Sequence, residues 1–443
     1  MRNFQKFLGI LVVLSMTTGL MAQRTEIQFF RPYDQDGINI FEPTRADNVK
    51  YDGFAIRIGG SFTQQFQALS HSNEANPNFV SYRGGQADAN ELYALGNGFN
   101  LATANLNFDF QIEDGIRVSL ENYMSARHHP EFWVKGGYIQ IDKLPMFDNP
   151  DWFTRHVRVK IGHFQPNYGD QQFRRTDNGN AIWNPFVGNY IMDAFTTEIG
   201  GEAYIFPNED LMFMLGMNNG LINGNVADVE KKPSVYLKAA YDKQINDDFR
   251  FRLSASYYGN NGSARNTLFN GDRTGSRFYL AMEPGIALPR GSSAYSPVSA
   301  TSRFTSGRIS PNFTNTVSTF QISPFVKYKG VEVFGTYEAA TGKSGFESGE
   351  RDFGQYSIEG LYRFLPNEQA FIGARYNSAS GDLGGGNSDV SINRTELSAG
   401  WFPSRNLLLK VGYINQDYLD FNADDIRHEG NFNGMMIEAV VGF

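Results

Sequence analysis

Apolar and polar residues alternate along most of the chain after residue 53. In the last ten residues, 434–443, the apolar side chains share one face, and Glu438 and Gly442 fall on the other. A period of two is typical of a β-strand with one face in lipid and one in a polar lumen. The C-terminal segment therefore predicts a membrane-spanning strand, and earlier strands can be counted back from it.

The same alternation predicts sixteen strands. In the first, Phe54, Ile56 and Ile58 face one way while Arg57 faces the other. The expected strands lie at about residues 53–68, 99–112, 116–126, 132–142, 156–164, 196–206, 210–219, 233–243, 248–259, 317–328, 331–340, 354–364, 369–379, 390–402, 407–417 and 434–443. An even number is what a bacterial single-chain barrel requires.

The connections between these strands differ in length in a regular way. Short turns, such as residues 113–115, 246–247 and 366–368, alternate with long polar links, such as 165–195 and 260–316. Short periplasmic turns and long extracellular loops are the expected asymmetry of an outer-membrane barrel. The sequence therefore predicts an all-β fold, a transmembrane antiparallel β-barrel.

Two features leave the strand count open at this point. Residues 277–282 alternate like a strand inside the 260–316 link, and with a weak partner they would make eighteen strands. Pro324 falls in the middle of an expected strand, where a backbone donor is lost. The turn at 143–155 is also longer than the other short turns.

The chain divides into three expected parts. Residues 1–22 have a charged start, an apolar core and a small residue at the end, which predicts a signal peptide cleaved after Ala22. Residues 23–52 do not alternate, and we expect a periplasmic arm or a partial plug there. Residues 53–443 form the expected barrel. Such a protein belongs in the outer membrane of a Gram-negative bacterium, in contact with its lipid.

Composition supports a barrel and narrows the chemistry. The 46 glycines, 22 tyrosines and 38 phenylalanines fit bends and aromatic girdles, and charged residues are only 19%. Because cysteine is absent, there is no disulfide framework and no thiolate metal site. Without the two basic residues of the signal peptide the net charge falls from −8 to −10, and nothing suggests a nucleic-acid partner.

The charged side chains of the strands concentrate in the inward phase. Lipid contact would cost a charge about 2–4 kcal/mol near the membrane midplane, so these side chains should face a lumen. The inward basic residues are Arg57, Arg117, Arg158, Lys160, Lys238, Arg250, Arg252, Lys327, Arg363, Arg375, Arg394 and Lys410. The inward acidic residues are Asp109, Glu121, Glu198, Glu202, Glu332, Glu338, Glu359, Glu396 and Glu438. The inward residues of the wall carry a net charge of +3, whereas the rest of the mature chain carries −13. This difference predicts a channel with a mild preference for anions. The alternative is that the inward charges only pair with one another across strands.

The link at residues 165–195 is long enough to enter the barrel and return. It carries adjacent Arg174 and Arg175 among aromatic residues, which is unusual for a loop bathed only in solvent. We expect the two arginines at a constriction, one held by Glu198 or Glu202 and the other facing the pore. An exposed loop with a solvated charge pair is the alternative. The candidate pore-lining set is Arg174, Arg175, Arg158, Lys160, Arg250, Arg252, Arg117, Arg57, Glu198 and Glu202.

Residues 137–141 read Gly-Tyr-Ile-Gln-Ile, and residues 157–169 read Val-Arg-Val-Lys-Ile-Gly-His-Phe-Gln-Pro-Asn-Tyr-Gly. These segments resemble the strand pair and following loop of the phosphate-selective porin O/P family, and the aromatic C-terminus resembles that of bacterial outer-membrane barrels. The signal peptide is similar to those of Bacteroidetes-type porins. The resemblance implies a homotrimeric channel with an inward third loop and a basic lumen. Nine inward carboxylates depart from that pattern, so we expect passage of small anions such as phosphate with weaker selectivity.

Other function classes have less support in the sequence. Six histidines occur, and no serine motif beside one suggests a nucleophile with its base, so an enzyme is not expected. Adjacent His128 and His129 lack an evident third ligand, and neither a metal nor a cofactor is expected. The alternative to a porin for passive diffusion of small solutes is a non-conducting barrel that serves as an adhesin or as a secretion or uptake accessory.

Overall fold

Sixteen long antiparallel strands form one closed sheet in the computed structural model, which describes residues 25–126, 132–220, 232–270, 277–289 and 291–443. The expected signal peptide, residues 1–22, lies outside the described residues. In chain order the strands are β1 Ala55–Ser72, β2 Thr103–Glu113, β3 Ile116–Ser125, β4 Phe132–Ile141, β5 Val157–Phe164, β6 Glu198–Ile205, β7 Leu211–Asn218, β8 Ser234–Asn246, β9 Phe249–Asn261, β10 Thr316–Tyr328, β11 Val331–Lys343, β12 Arg351–Phe364, β13 Ala370–Gly381, β14 Val390–Ser404, β15 Leu407–Leu419 and β16 Asn431–Gly442.

Small elements occupy the connections. The long turn between β4 and β5 contains a 3-10 turn and the helix α1, Asp151–His156, which explains its length. Two short hairpins lie in the long links, and their strands are Phe79–Tyr82 with Gly85–Asp88, and Ile286–Ala287 with Ser296–Pro297. The 3-10 turns are Gln35–Gly37, Pro145–Phe147, Gln171–Phe173 and Pro366–Glu368. Within the described ranges, no helix combines the length and the hydropathy needed to cross a membrane.

Closure of the sheet depends on β1, which pairs on both sides. Its lower half pairs with β2, from Ala55 opposite Gln111, and its upper half pairs with β16. At the seam, Gly60 and Phe443 exchange two backbone hydrogen bonds, each 3.0 Å long. The C-terminal strand therefore closes the barrel, and the paired edges are protected from joining another chain.

The sixteen-strand prediction is confirmed, and the eighteen-strand alternative is wrong. The two-residue piece Gly98–Phe99 pairs with the same edge of β1 as β2 does, so it adds no strand. Residues 277–282 do not join the sheet. Phe278 forms an isolated bridge with Ser306 and is buried inside the barrel, where its apolar alternation serves packing.

Pro324 is tolerated in β10 because only one side of its ladder is interrupted. Pairing with β9 continues through Pro324, whereas pairing with β11 omits Ser323 and Pro324. Across that gap the hydroxyl oxygens of Ser323 and Thr336 lie 3.0 Å apart and form a side-chain hydrogen bond. Gly335 faces the proline ring, and a Cβ there would lie 3.2 Å from Pro324 Cγ. A glycine opposite the proline therefore gives its ring room.

The two faces of the wall differ as the alternation predicts. Outward positions expose large apolar side chains, whereas the predicted inward charges point into the barrel. Exposed aromatic side chains form two rows on this surface, as in membrane barrels. The upper row includes Tyr257, Tyr337, Tyr356, Tyr376 and Tyr413, and the lower row includes Tyr241, Tyr328, Tyr362, Trp401 and Phe443. This surface is that of a transmembrane barrel.

The N-terminal segment corrects one expectation. Residues 25–45, called the N-terminal plug below, lie inside the periplasmic half of the lumen rather than forming a periplasmic arm. Tyr33 Oη donates to Asp109 on β2 over 3.0 Å, and Asn39 donates to Glu332 on β11 over 2.6 Å. The segment enters the barrel because its polar groups find partners on opposite walls. It corresponds to the partial plug that was the other interpretation.

The seam between β1 and β16 can be tested with cysteines, since the chain has none of its own. Phe62 lies directly opposite Val441, and neighbouring antiparallel residues have the Cα separation that a disulfide needs. We expect the double variant F62C/V441C to oxidise to a disulfide that almost circularises the chain, which then migrates faster on a denaturing gel.

The matched control is F62C/I437C. Its second cysteine lies four positions further along β16, roughly 13 Å away, and should not cross-link. Equal cross-linking of the two pairs, or of neither, would show that the barrel closes with a different register.

Candidate functional site

Three segments fill the lumen that the sixteen strands enclose. The N-terminal plug occupies the periplasmic half. Residues 165–195, called the inner loop below, cross the middle and are almost all buried. Residues 277–282 descend from the extracellular side, where Arg277 Nε donates to Glu438 on β16 over 3.3 Å. The candidate site is therefore the filled lumen and the space left between these segments.

The inner loop folds inward because both its backbone and its side chains bond to the wall. Gly169, with φ +72°, donates its N–H to Ser256 on β9 over 3.1 Å. A Cβ at Gly169 would collide with Gln321, so glycine permits this close approach. Further along, Tyr190 Oη donates to Glu359 on β12 over 2.7 Å. The loop is thus anchored on the side of the barrel away from its own strand.

Arg174 and Arg175 are each only 1% exposed, and their partners differ from those expected. Arg174 lies 3.2 Å from Glu359 and 3.6 Å from Glu332. Arg175 forms a two-pronged pair with Asp193 of the same loop, with N–O distances of 3.0 and 2.5 Å. The expectation that one guanidinium faces an open pore is wrong, because both are buried within ion pairs.

Glu198 and Glu202 do not hold either arginine, which corrects the expected pairing. Glu202 accepts the N–H of Asn167 over 2.7 Å and the hydroxyl of Tyr204 over 2.5 Å, and Lys160 lies 4.0 Å away. It therefore fixes the first turn of the inner loop. Glu198 accepts the hydroxyl of Tyr258 over 3.2 Å. Both carboxylates face the lumen but lie on the wall beside the loop's two ends.

Arg252 and Lys238 form a charge cluster with the plug and the inner loop. Arg252 contacts Asp170 at 2.8 Å and Glu42 at 2.7 Å, and Lys238 contacts the same two carboxylates at 2.8 and 2.7 Å. Glu42 belongs to the plug and Asp170 to the inner loop. Asp242 pairs with Arg250 at 2.7 Å at the edge of this cluster. The wall cations therefore hold both segments in place.

The remaining candidate residues lie on the opposite side, around β1 to β5. The guanidinium of Arg57 stacks on Phe30 at 4.5 Å, and Arg117 contacts Asp109 at 3.6 Å. Arg158 donates to Asp142 over 2.7 Å. Lys160 lies over the ring of Phe164 at 4.0 Å. The structure thus places the ten candidates inside the barrel, and their role at a constriction stays a prediction.

Some charged residues of the lumen were not among those predicted from the sequence. Asp242 lies within the expected strand at 233–243 and shares the inward phase of Lys238, so the alternation itself could have identified it. Lys135 is buried against Glu121 and Asp177, at 3.0 and 2.8 Å, and lies at a break in the β3–β4 register that obscures its phase. No sequence pattern identified Glu42, because the residues that it contacts lie far away in the chain.

Gln28, at the start of the plug, is fixed to a periplasmic turn. Its side chain donates to Asp114 over 3.1 Å, and Lys143 donates to the same carboxylate over 2.7 Å. Burial alone would raise the pKa of Asp114, but these donors outweigh it and hold the pKa below its usual range. The turn therefore offers the plug an ionised anchor at neutral pH.

Space remains around the plug in three places. A cavity of about 940 Å³ lies at the periplasmic mouth, between Gln35 of the plug and the turns at Lys329 and Arg405. One of about 520 Å³ lies between the plug and strands β7 to β9. The third, about 210 Å³, lies between the plug, the inner loop and β3 to β6, and is called the lateral cavity below. Among the described residues, no three His, Asp or Glu side chains are placed to hold a metal ion.

Comparisons with known proteins bear on this fold. No family model matches the chain, and no curated protein matches it. The outer membrane protein OmpT of Vibrio cholerae, solved in a trimer form, matches with a TM-score of 0.50 at 10% identity, over 88% of this chain and 100% of that one. An anion-selective porin from Comamonas acidovorans matches with a TM-score of 0.49 at 10% identity, over 88% and 100%. The outer membrane channel DcaP of Acinetobacter baumannii gives 0.48 at 10% identity, over 89% and 99%.

At this identity the likeness shows the fold alone. The fold is that of an outer-membrane β-barrel. A closed barrel with an apolar outer surface lies in the outer membrane of a Gram-negative bacterium.

The Arg175–Asp193 pair yields a test of what holds the inner loop. Removing one partner of a buried ion pair costs about 3–5 kcal/mol, because the other charge is left without compensation. We expect D193N to loosen the loop, so that trypsin cleaves after Arg174 or Arg175 in the folded barrel, whereas the wild-type loop resists.

The control is D151N, which removes an exposed carboxylate paired with Arg155 on α1. It should leave the inner loop resistant. Cleavage is measured on denaturing gels after timed digestion in detergent. If D193N and the wild type are cut at the same rate, the pair does not hold the loop inside the barrel.

Proposed function

We propose that this protein is an outer-membrane porin, a water-filled channel for passive diffusion of small solutes, with a mild preference for anions such as phosphate. The observation that supports it most is the charged lumen, in which wall arginines and lysines surround the lateral cavity. That cavity is bordered by Arg31, Arg117, Lys135, Arg158, Lys160 and Arg175, but by only Glu42, Glu121 and Asp177 among acidic residues. A basic, narrow passage concentrates anions.

The N-terminal plug and the inner loop weaken this preference for anions, because both carry a net negative charge. The predicted inward set of the wall carries +3, and adding Lys135 and Asp242 leaves that balance unchanged. Residues 25–45 carry a net −2 and residues 165–195 a net −1. With both segments in place the balance is therefore close to zero, so the preference for anions is weak. It should grow when the plug is absent.

A non-conducting barrel is the second candidate function, and the filling itself favours it. The plug, the inner loop and residues 277–282 all bond to the wall, and the lateral cavity is small. In such a protein the extracellular links would act as an adhesin or as a secretion or uptake accessory. Conductance separates the two functions, because a sealed barrel carries no current.

Deletion of residues 25–45 tests the channel. The wild type in a planar bilayer should show small conductance steps, and the deletion variant should show steps severalfold larger, because the periplasmic half of the lumen is vacated. Its reversal potential in a KCl gradient should shift toward anion preference, since the deletion removes a net −2. A shift toward cations, or no current from either protein, would contradict the porin proposal.

The variant E42Q serves as the matched control. It removes one lumenal charge without shortening the plug, and Asp170 still pairs with Lys238 and Arg252. We expect a small shift toward anions with little change in conductance. A second control, R303A/R308A in the extracellular link, should change neither quantity.

We further propose that the barrel is a homotrimer. Support comes from the resemblance noted in the sequence and from the trimer form in which OmpT of Vibrio cholerae was solved. Light scattering on the protein in mild detergent should give the protein mass of three chains. A mass of one chain would contradict this assembly.

A further inference from the structure

The lateral cavity contains hydrogen-bond donors that the protein does not satisfy. Nη2 of Arg158 and Nε of Arg117 are buried, and neither atom has a hydrogen-bond acceptor among the described residues. Both side chains border this one cavity of about 210 Å³. Buried donors are rarely left without a partner, because burial removes the hydrogen bond that each donor would make with water. Together they point to an acceptor-bearing ligand.

The geometry of Arg158 shows that its free donor is built in. Its Nε donates to Asp142 over 2.7 Å, and its Nη1 donates to the carbonyl of Pro43 over 2.8 Å. These bonds fix the plane of the guanidinium, so Nη2 is held in one direction. Arg117 is fixed similarly, since its Nη2 donates to Gln140 over 2.9 Å. Two oriented guanidinium groups with spare N–H donors suit a carboxylate or another oxyanion.

The charge around the cavity also favours an anion. Lys160 is only weakly engaged, at 4.0 Å from Glu202, and lies over the rings of Tyr138 and Phe164 at 4.3 and 4.0 Å. Asp142, the carboxylate beside Arg158, is already bonded to Arg45 and Gln140 as well. An incoming anion would therefore meet Lys160, whose paired carboxylate is 4.0 Å away, and Arg158, whose partner Asp142 is shared with Arg45 and Gln140.

Eight of the residues that border the cavity are aromatic. Phe30, Tyr138, Phe164 and Phe173 border it, and Tyr138 and Phe164 meet edge to face with ring centroids 6.0 Å apart. A small inorganic oxyanion would leave much of the cavity unfilled against aromatic surface. A ring that carries a carboxylate would contact the donors and the aromatic walls together.

We propose that the lateral cavity binds small aromatic carboxylates, with the carboxylate on Arg158 and Arg117 and the ring against Tyr138 and Phe164. This names the solute class of the proposed channel and rests on that function for access to the lumen. Binding itself does not need conduction, so the two can be tested separately.

The test is isothermal titration calorimetry of the full barrel in detergent, with sodium benzoate, acetate and inorganic phosphate as probes. Benzoate should bind at least tenfold more tightly than acetate, which lacks the ring, and than phosphate. The variant R158K keeps the charge beside Asp142 but removes Nη2, and it should weaken benzoate binding by roughly tenfold or more. The control R155K changes an exposed arginine on α1 and should bind benzoate as the wild type does.

Equal binding of acetate and benzoate would overturn the proposal, as would phosphate binding as tightly as benzoate or an unchanged affinity in R158K. The heat stability of R158K on denaturing gels should match that of the wild type. This result would exclude misfolding as the cause of weaker binding. Benzoate binding without bilayer current would refute only the porin function. Current without benzoate binding would refute only this site.

Discussion

The fold depends on keeping charged side chains out of lipid. The alternating strands place their charges on the inner face, where Arg, Lys, Asp and Glu side chains crowd a space enclosed by sixteen strands. A charge in that space needs a partner, because burial without one costs several kcal/mol. The wall cannot satisfy its own cations, since it carries three more of them than acids in the predicted set. The plug and the inner loop bring the missing carboxylates, and Glu42 and Asp170 show this most directly.

These contacts make the filling segments part of the structure rather than an added stopper. Glu42 bonds to two wall cations and to Asn167 of the inner loop, so it links three elements. Arg174 similarly joins the inner loop to Glu332, which also accepts a bond from Asn39 of the plug. Loss of one such residue leaves its neighbours partly compensated. The network therefore resists single changes better than an isolated buried pair does.

The sequence predicted the barrel because lipid imposes a period of two on every strand. Predicted ends were too short mainly at the extracellular side, as in β16, where outward Asn431 and Asn433 interrupt the apolar alternation. The inward fold of the inner loop was predicted from its length and its aromatic residues. The partners of Arg174 and Arg175 were not, since Glu359 lies on a distant strand and Asp193 bonds within the loop. The plug has no period, so only its contacts in three dimensions reveal its place.

The position of the plug in the chain has a consequence for the order of assembly. It precedes all the strands, yet Gln35 bonds to Asn367, 332 residues later, and to the carbonyl of Arg405. Contacts of such long sequence separation have a large loop-closure cost unless the chain between them is already ordered. The plug therefore reaches its final bonds only when the last strands have been laid down. An assembly intermediate that lacks the turns at Asn367 and Arg405 would therefore carry a plug without these two bonds.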